Sequence, residues 1–164
     1  MKLVTVLIFA FGLLASGFQA MSADLQKKGK FTGNFGWYAT GKAYELEQNH
    51  LFWMGEFSGT FFNDEGKGFM HQSSVVCPAS NDIHLDGSPG GAQGYCIVTD
   101  KEGDKAFLSW KCAGPFPGPC SGDFQWTGGT GKFAGIRGNN KFYAVTLAPT
   151  SSGYAVWNAG WELP

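Results

Sequence analysis

Charge is scarce in this 164-residue chain. Only 15% of the residues are Asp, Glu, Lys or Arg, the formal net charge is −1, and Arg137 is the lone arginine. A nucleic-acid surface needs clustered cations. The one basic cluster, Lys27, Lys28 and Lys30, reads as a solvated arm, so no nucleic-acid partner is expected. Long hydrophobic runs are also missing. A membrane helix takes about 20 apolar residues, and the longest run here, residues 3–14, falls short. It follows Met1-Lys2 and precedes Ala15-Ser16-Gly17, the order of a secretory signal. Phe18-Gln19-Ala20 and Ala20-Met21-Ser22 offer further cleavage sites, and no Cys follows the run to carry a lipid anchor. The expected organisation is a signal over residues 1–20, a flexible arm over 21–30 and one domain over 31–164. The expected destination is secreted or periplasmic, with no membrane span in the mature chain.

Catalytic and cofactor motifs are absent too. Without G-x-S-x-G, acyl transfer has no nucleophile. Gly131-Lys132 is followed by Phe133 rather than Ser or Thr, which breaks a phosphate-binding loop, and Gly129, Gly131 and Gly135 miss the dinucleotide spacing by one residue. No cofactor is therefore expected. Cys77, Cys96, Cys112 and Cys120 contain no C-x-x-C, which argues against structural zinc. An even number of cysteines in an exported chain points instead to two disulfides. Cys112 and Cys120 enclose a loop that Pro115, Pro117 and Pro119 keep from continuing a strand, so a bridge there would clip the loop shut. Cys77 and Cys96 then pair by elimination.

What is abundant is glycine, at 25 residues, and aromatic side chains, at 16%. Both favour a turn-rich all-β chain. Residues 31–39 alternate apolar with small or polar residues, Thr40-Gly41-Lys42 reads as a turn, and 43–47 continue beyond it. Residues 50–62 alternate most clearly, with Leu51, Trp53, Phe57 and Phe61 on one face and His50, Phe52, Met54 and Glu56 on the other. Asn63-Asp64-Glu65-Gly66 reads as a hairpin turn with a return strand over 67–77. Residues 78–91 read as a loop. Its Asp82-x-His84-x-Asp86 triplet offers oxygen and nitrogen ligands, but the Gly87-Ser88-Pro89-Gly90-Gly91 tail favours a wet loop, and no metal site is assigned. A second hairpin turns at 100–104, and strands over 123–127, 141–147 and 154–163 complete the count. Eight to nine strands without a helical period predict a single antiparallel β-barrel of about eight strands, with a glycine-rich turn and a central cavity.

The glycine-rich turn carries a resemblance. Gly128-Gly129-Thr130-Gly131-Lys132-Phe133, followed by Gly135 and Arg137-Gly138, resembles the signature turn of the allene oxide cyclase barrel and dirigent proteins. The resemblance implies an eight-stranded antiparallel barrel with a central cavity, and as a function a cofactor-independent isomerase or cyclase. It transfers no catalytic residue, because the motif is a structural turn.

Read from the residues, Glu56 and His71 lie on neighbouring strands about two ladder positions apart, an acid and a base for proton shuffling. Trp53 with Phe52 and Met54, together with Trp110 and Trp126, are the candidate ligand contacts. Binding of a small apolar or aromatic molecule requires the fewest assumptions, since no cation cluster could neutralise an anion. Catalysis of the cyclase type is the first alternative, a packed structural or interaction module the second. Association with further copies of the chain is left open.

Overall fold

The computed structural model describes residues 25–147 and 150–164, so the expected signal and the start of the expected arm lie outside the described residues. Eight antiparallel strands follow one another around a closed barrel. They are β1 (Lys28–Glu47), β2 (His50–Asn63), β3 (Ser73–His84), β4 (Gly90–Thr99), β5 (Lys105–Gly114), β6 (Pro119–Gly129), β7 (Asn139–Leu147) and β8 (Ser152–Glu162). Pairing of β8 with β1, from Lys28↔Glu162 to Tyr38↔Ser152, closes the cylinder. Closure satisfies the edge groups that an open sheet would leave for another chain. The expected fold class is the one that forms. Among the described residues the only helix is the short turn Gly131–Phe133, and no helix is long and apolar enough to cross a membrane.

Alternation decides which side chains face inward. Along β1 Phe31, Gly33, Phe35 and Trp37 are buried while their neighbours are exposed, and Ala155, Trp157, Ala159 and Trp161 do the same along β8. Directly opposed residues share a face. The register therefore carries this parity around the barrel: odd positions point inward on β1, β2, β3 and β8, even positions on β4 to β7.

The interior has two unlike halves. One end is plugged by the connections after β2 and β6. Residues 64–72 bring Phe69 and Met70 inside, and the glycine-rich segment brings Phe133 and Ile136. That segment can tuck in because Gly131 and Gly135 adopt positive φ (51° and 75°), which most side chains resist. Phe69 stacks on Trp161 with ring centroids 3.9 Å apart and 9° between planes. At the other end several inward positions are small: Gly90, Ala92, Gly94, Gly122, Ala144 and Ala155. Small residues there leave volume that the large residues of the plugged half occupy.

Four local expectations are corrected. Thr40-Gly41-Lys42 is not a turn, and β1 runs straight through it. Gly41 faces Gly55 across the ladder, and a Cβ on either would collide with the Trp53 indole. Residues 64–72 replace the tight hairpin. Asn63 organises them, its Nδ2 donating to the Phe69 carbonyl (3.2 Å) and its Oδ1 accepting from the Glu65 N–H (3.0 Å). Residues 78–84 are strand rather than loop. Pro78 is tolerated because the β3–β4 ladder skips there from Val76↔Ile97 to Ala79↔Gly94, where a missing N–H does least harm. Lys28 to Lys30, read as arm, pair with residues 160–162 of β8.

Both expected disulfides are present. Cys77–Cys96 joins β3 to β4 at the skip, and Cys112–Cys120 joins β5 to β6 beneath the proline loop. Two such bridges fit an oxidising compartment.

Candidate functional site

The half of the lumen away from the plug holds a cavity of about 90 Å³. Phe57, Trp110, Phe142 and Trp157 surround it, the proline loop contributes Pro115 and Phe116, and both disulfides form part of the wall. The rings brace one another edge to face: Phe57 against Trp110 at 6.1 Å, and Trp110 against Phe142 at 6.0 Å and 90°. Such contacts hold the wall in shape, each worth about 0.5–1.5 kcal/mol beyond burial.

Apart from Asp82 at the rim, whose carboxylate is held by His50, this lining is neutral. Among the described residues, inward ladder positions below the exposed rim carry no Asp, Glu, His, Lys or Arg. Its polar character comes from Asn81, Asp82 and Thr146 near the mouth and from Trp110. The indole Nε1 of Trp110 is buried and meets no acceptor. By contrast, Trp126 Nε1 donates to the Gly160 carbonyl (2.9 Å) and Trp161 Nε1 to the Gln26 carbonyl (3.0 Å). A buried donor without a partner costs about 1–3 kcal/mol, so an acceptor that reaches Trp110 gains by relieving it.

The chain matches no protein-family model, and no curated protein resembles it at a significant level. Function therefore has to be argued from this geometry.

Of the five ligand contacts expected from sequence, Trp110 lines the cavity. Trp53 faces inward at the rim, laid over Gly41 and Gly55 and 5.0 Å from Phe57. Phe52 and Met54 have the outward parity, and Met54 is half exposed. Trp126 lies in the packed core, 6.1 Å from Phe69 of the plug. Glu56 and His71 are not brought together. Glu56 points outward opposite Pro78, while His71 lies in the 64–72 connection with its ring edge-on to Phe62 at 5.8 Å. The longer connection shifts β3 along β2, which is why the expected pairing does not arise.

Sequence reading missed Phe35, Phe57, Phe142 and Trp157. The available signal was the run of small residues on β4, β6 and β7, which marks where an interior is empty once parity is known. Arg137 takes no part in the cavity. It bridges to Glu162 through the backbone and an exposed ion pair at 3.5 Å.

At the rim of the open half, on the outer face, His50 lies between two carboxylates. Its Nε2 is 2.5 Å from Asp82 Oδ1 and its Nδ1 is 3.4 Å from Glu47 Oε1. The hydrogen bond with Asp82 raises the imidazole pKa above its ordinary value, against some desolvation, and Glu47 adds to the rise. Asp86 turns away. Its Oδ1 accepts from the Ser88 N–H (2.9 Å) and hydroxyl (2.7 Å), and these bonds hold its carboxyl below the usual range.

Proposed function

We propose that this protein is an exported barrel that binds a small, uncharged, apolar or aromatic molecule in the open half of its lumen. The carrying observation is the aromatic-walled cavity, set where small inward residues leave room between the rings and where the only ionisable lining group is Asp82 at the rim. About 90 Å³ admits a short alkyl segment or the inner part of a ring. For scale, an apolar cavity of about 150 Å³ takes up benzene. A longer ligand would extend through the mouth past Asn81. The orphan Trp110 N–H favours a ligand whose inner end carries a carbonyl, ether or hydroxyl oxygen. Kinship with the allene oxide cyclase and dirigent barrels belongs to the same proposal, and rests on the glycine-rich motif and the strand count. Binding is favoured over cyclase-type turnover because turnover needs an acid or base against the substrate, and the only ionisable group of the lining, Asp82, sits at the rim and is engaged by His50.

The test is a tryptophan-fluorescence titration with neutral phenolics, fatty-acid esters and polyketides, repeated on two variants. Ala144→Leu should fill much of the cavity and abolish binding while the barrel still melts cooperatively. Trp110→Phe should weaken oxygen-bearing probes about tenfold, the equivalent of one net hydrogen bond, and leave oxygen-free probes unaffected. If no probe shifts the emission or the melting temperature, or if Ala144→Leu binds as well as the parent, the reading fails.

A further inference from the structure

The outer face of the barrel rim carries a second arrangement, which shares only Asp82 with the cavity lining. β2 begins at His50 and β3 ends at His84, and the register makes these two residues direct partners across the ladder. Their imidazoles stack with centroids 4.5 Å apart and 18° between planes. Asp82 stands two residues before His84, hence on the same face. One donor atom from each of the three lies within 4.8 Å of the others.

We propose that His50, Asp82 and His84 bind a divalent transition-metal ion at the rim. Two imidazoles and one carboxylate form the nitrogen–oxygen set that suits zinc, copper(II) or nickel(II) rather than calcium or magnesium. Donors on one zinc ion at about 2.0–2.2 Å stand about 3.4 Å apart in tetrahedral geometry. Closing to that spacing requires the two imidazoles to leave their stack and turn until both nitrogens point at one ion. Asp82 is half exposed and His50 about one-fifth exposed, so both can move.

The surroundings of His50 favour this reading over a plain surface ion pair. Its Nδ1 faces Glu47, while its Nε2 faces Asp82. A ligating imidazole commonly gives its remote N–H to a carboxylate, which fixes the tautomer and frees the other nitrogen for the metal. Glu47 occupies that outer position. It gets there through the irregularity between Glu45 and Glu47, a bulge that re-aims the end of β1. The ion would take the place between Nε2 and Oδ1 that a proton now holds, with His84 closing the third side. Three protein donors at a half-exposed rim would leave a coordination position for water, the mark of an open rather than a structural site.

The experiment uses the purified protein without a histidine tag, stripped of metal by chelation. It is titrated with zinc chloride by calorimetry and with copper(II) chloride by paramagnetic resonance. The expected result is one ion per chain, with a copper spectrum showing coupling to two nitrogens. His50→Gln and His84→Gln should each weaken binding at least tenfold and lose one nitrogen coupling. Glu47→Gln should weaken binding about tenfold, the effect of removing an outer partner. His71→Ala, at the opposite end of the barrel, should bind as the parent does. Circular dichroism of each variant shows whether the barrel is intact. The proposal is overturned if the parent binds no ion at micromolar metal, or if binding survives the His50→Gln/His84→Gln double variant. Loss of binding in His71→Ala alone would overturn it equally.

Discussion

Phe69→Ala tests whether the plug is what holds the closed half together. The ring is buried at 6% exposure and touches aromatic neighbours on every side: Trp161 at 3.9 Å, Phe31 at 5.1 Å, Phe133 at 5.7 Å and Trp126 at 6.1 Å. Truncating a buried Phe costs about 3–5 kcal/mol, more where the surroundings cannot collapse. Three of these four neighbours sit on paired strands, so little relaxation is available, and about 4 kcal/mol is expected. With a urea dependence of about 2 kcal/mol per molar, the unfolding midpoint should fall by about 2 M. Phe62→Ala is the control, because Phe62 is half exposed on the outer wall. It should cost about 1 kcal/mol or less. Since the cavity lies in the other half of the lumen, affinity for a bound probe should be unchanged in native buffer. A Phe69→Ala midpoint no lower than that of Phe62→Ala would refute the plug. A parallel loss of ligand affinity would refute the division of the interior into two halves.

Removing the disulfides should separate their effects. Replacing Cys77 and Cys96 by Ala releases a 19-residue separation and should cost about 3 kcal/mol in chemical denaturation, while Cys112 and Cys120, eight apart, should cost about 2.5 kcal/mol. Both pairs line the cavity, but the second also frees the loop carrying Pro115 and Phe116, so its variant should show the larger change in ligand off-rate. Asp100 predicts an acid limb. Burial by itself pushes its carboxyl up, but the Lys132 ammonium and the N–H groups of Glu102 and Asp104 outweigh burial, and its pKa is lowered. A carboxylate with a depressed folded pKa stabilises fully above its unfolded value near pH 4, and that contribution is lost as pH falls through the folded value. Asp100→Asn should flatten the stability profile below about pH 4 and cost about 1.5–3 kcal/mol at neutral pH. An unchanged acid limb would show that the pair contributes nothing.

The sequence by itself determined the class of structure and its covalent framework. Alternation over residues 31–39 and 50–62, dense glycine and the lack of any helical period pointed to an antiparallel barrel, because the hydrophobic period is a local property of each strand. The turns read at residues 40–42 and 63–66, by contrast, were overridden by strand pairing. The proline loop between Cys112 and Cys120 likewise announced its own bridge. Side-chain placement was another matter. Parity tells which residues share a face but not which face is inside, so Phe52 and Met54 looked as eligible as Trp53. Register depends on the length of each connection, and one extra turn of chain at 64–72 slides every partner on β3. That slide separates Glu56 from His71. It also sets His84 against His50 and lays Asp82 alongside, 32 residues away in the chain. The cavity is equally a product of closure. Ala92, Ala144 and Ala155 are ordinary small residues until the barrel turns them toward one another, and only then does the lumen have room for a guest.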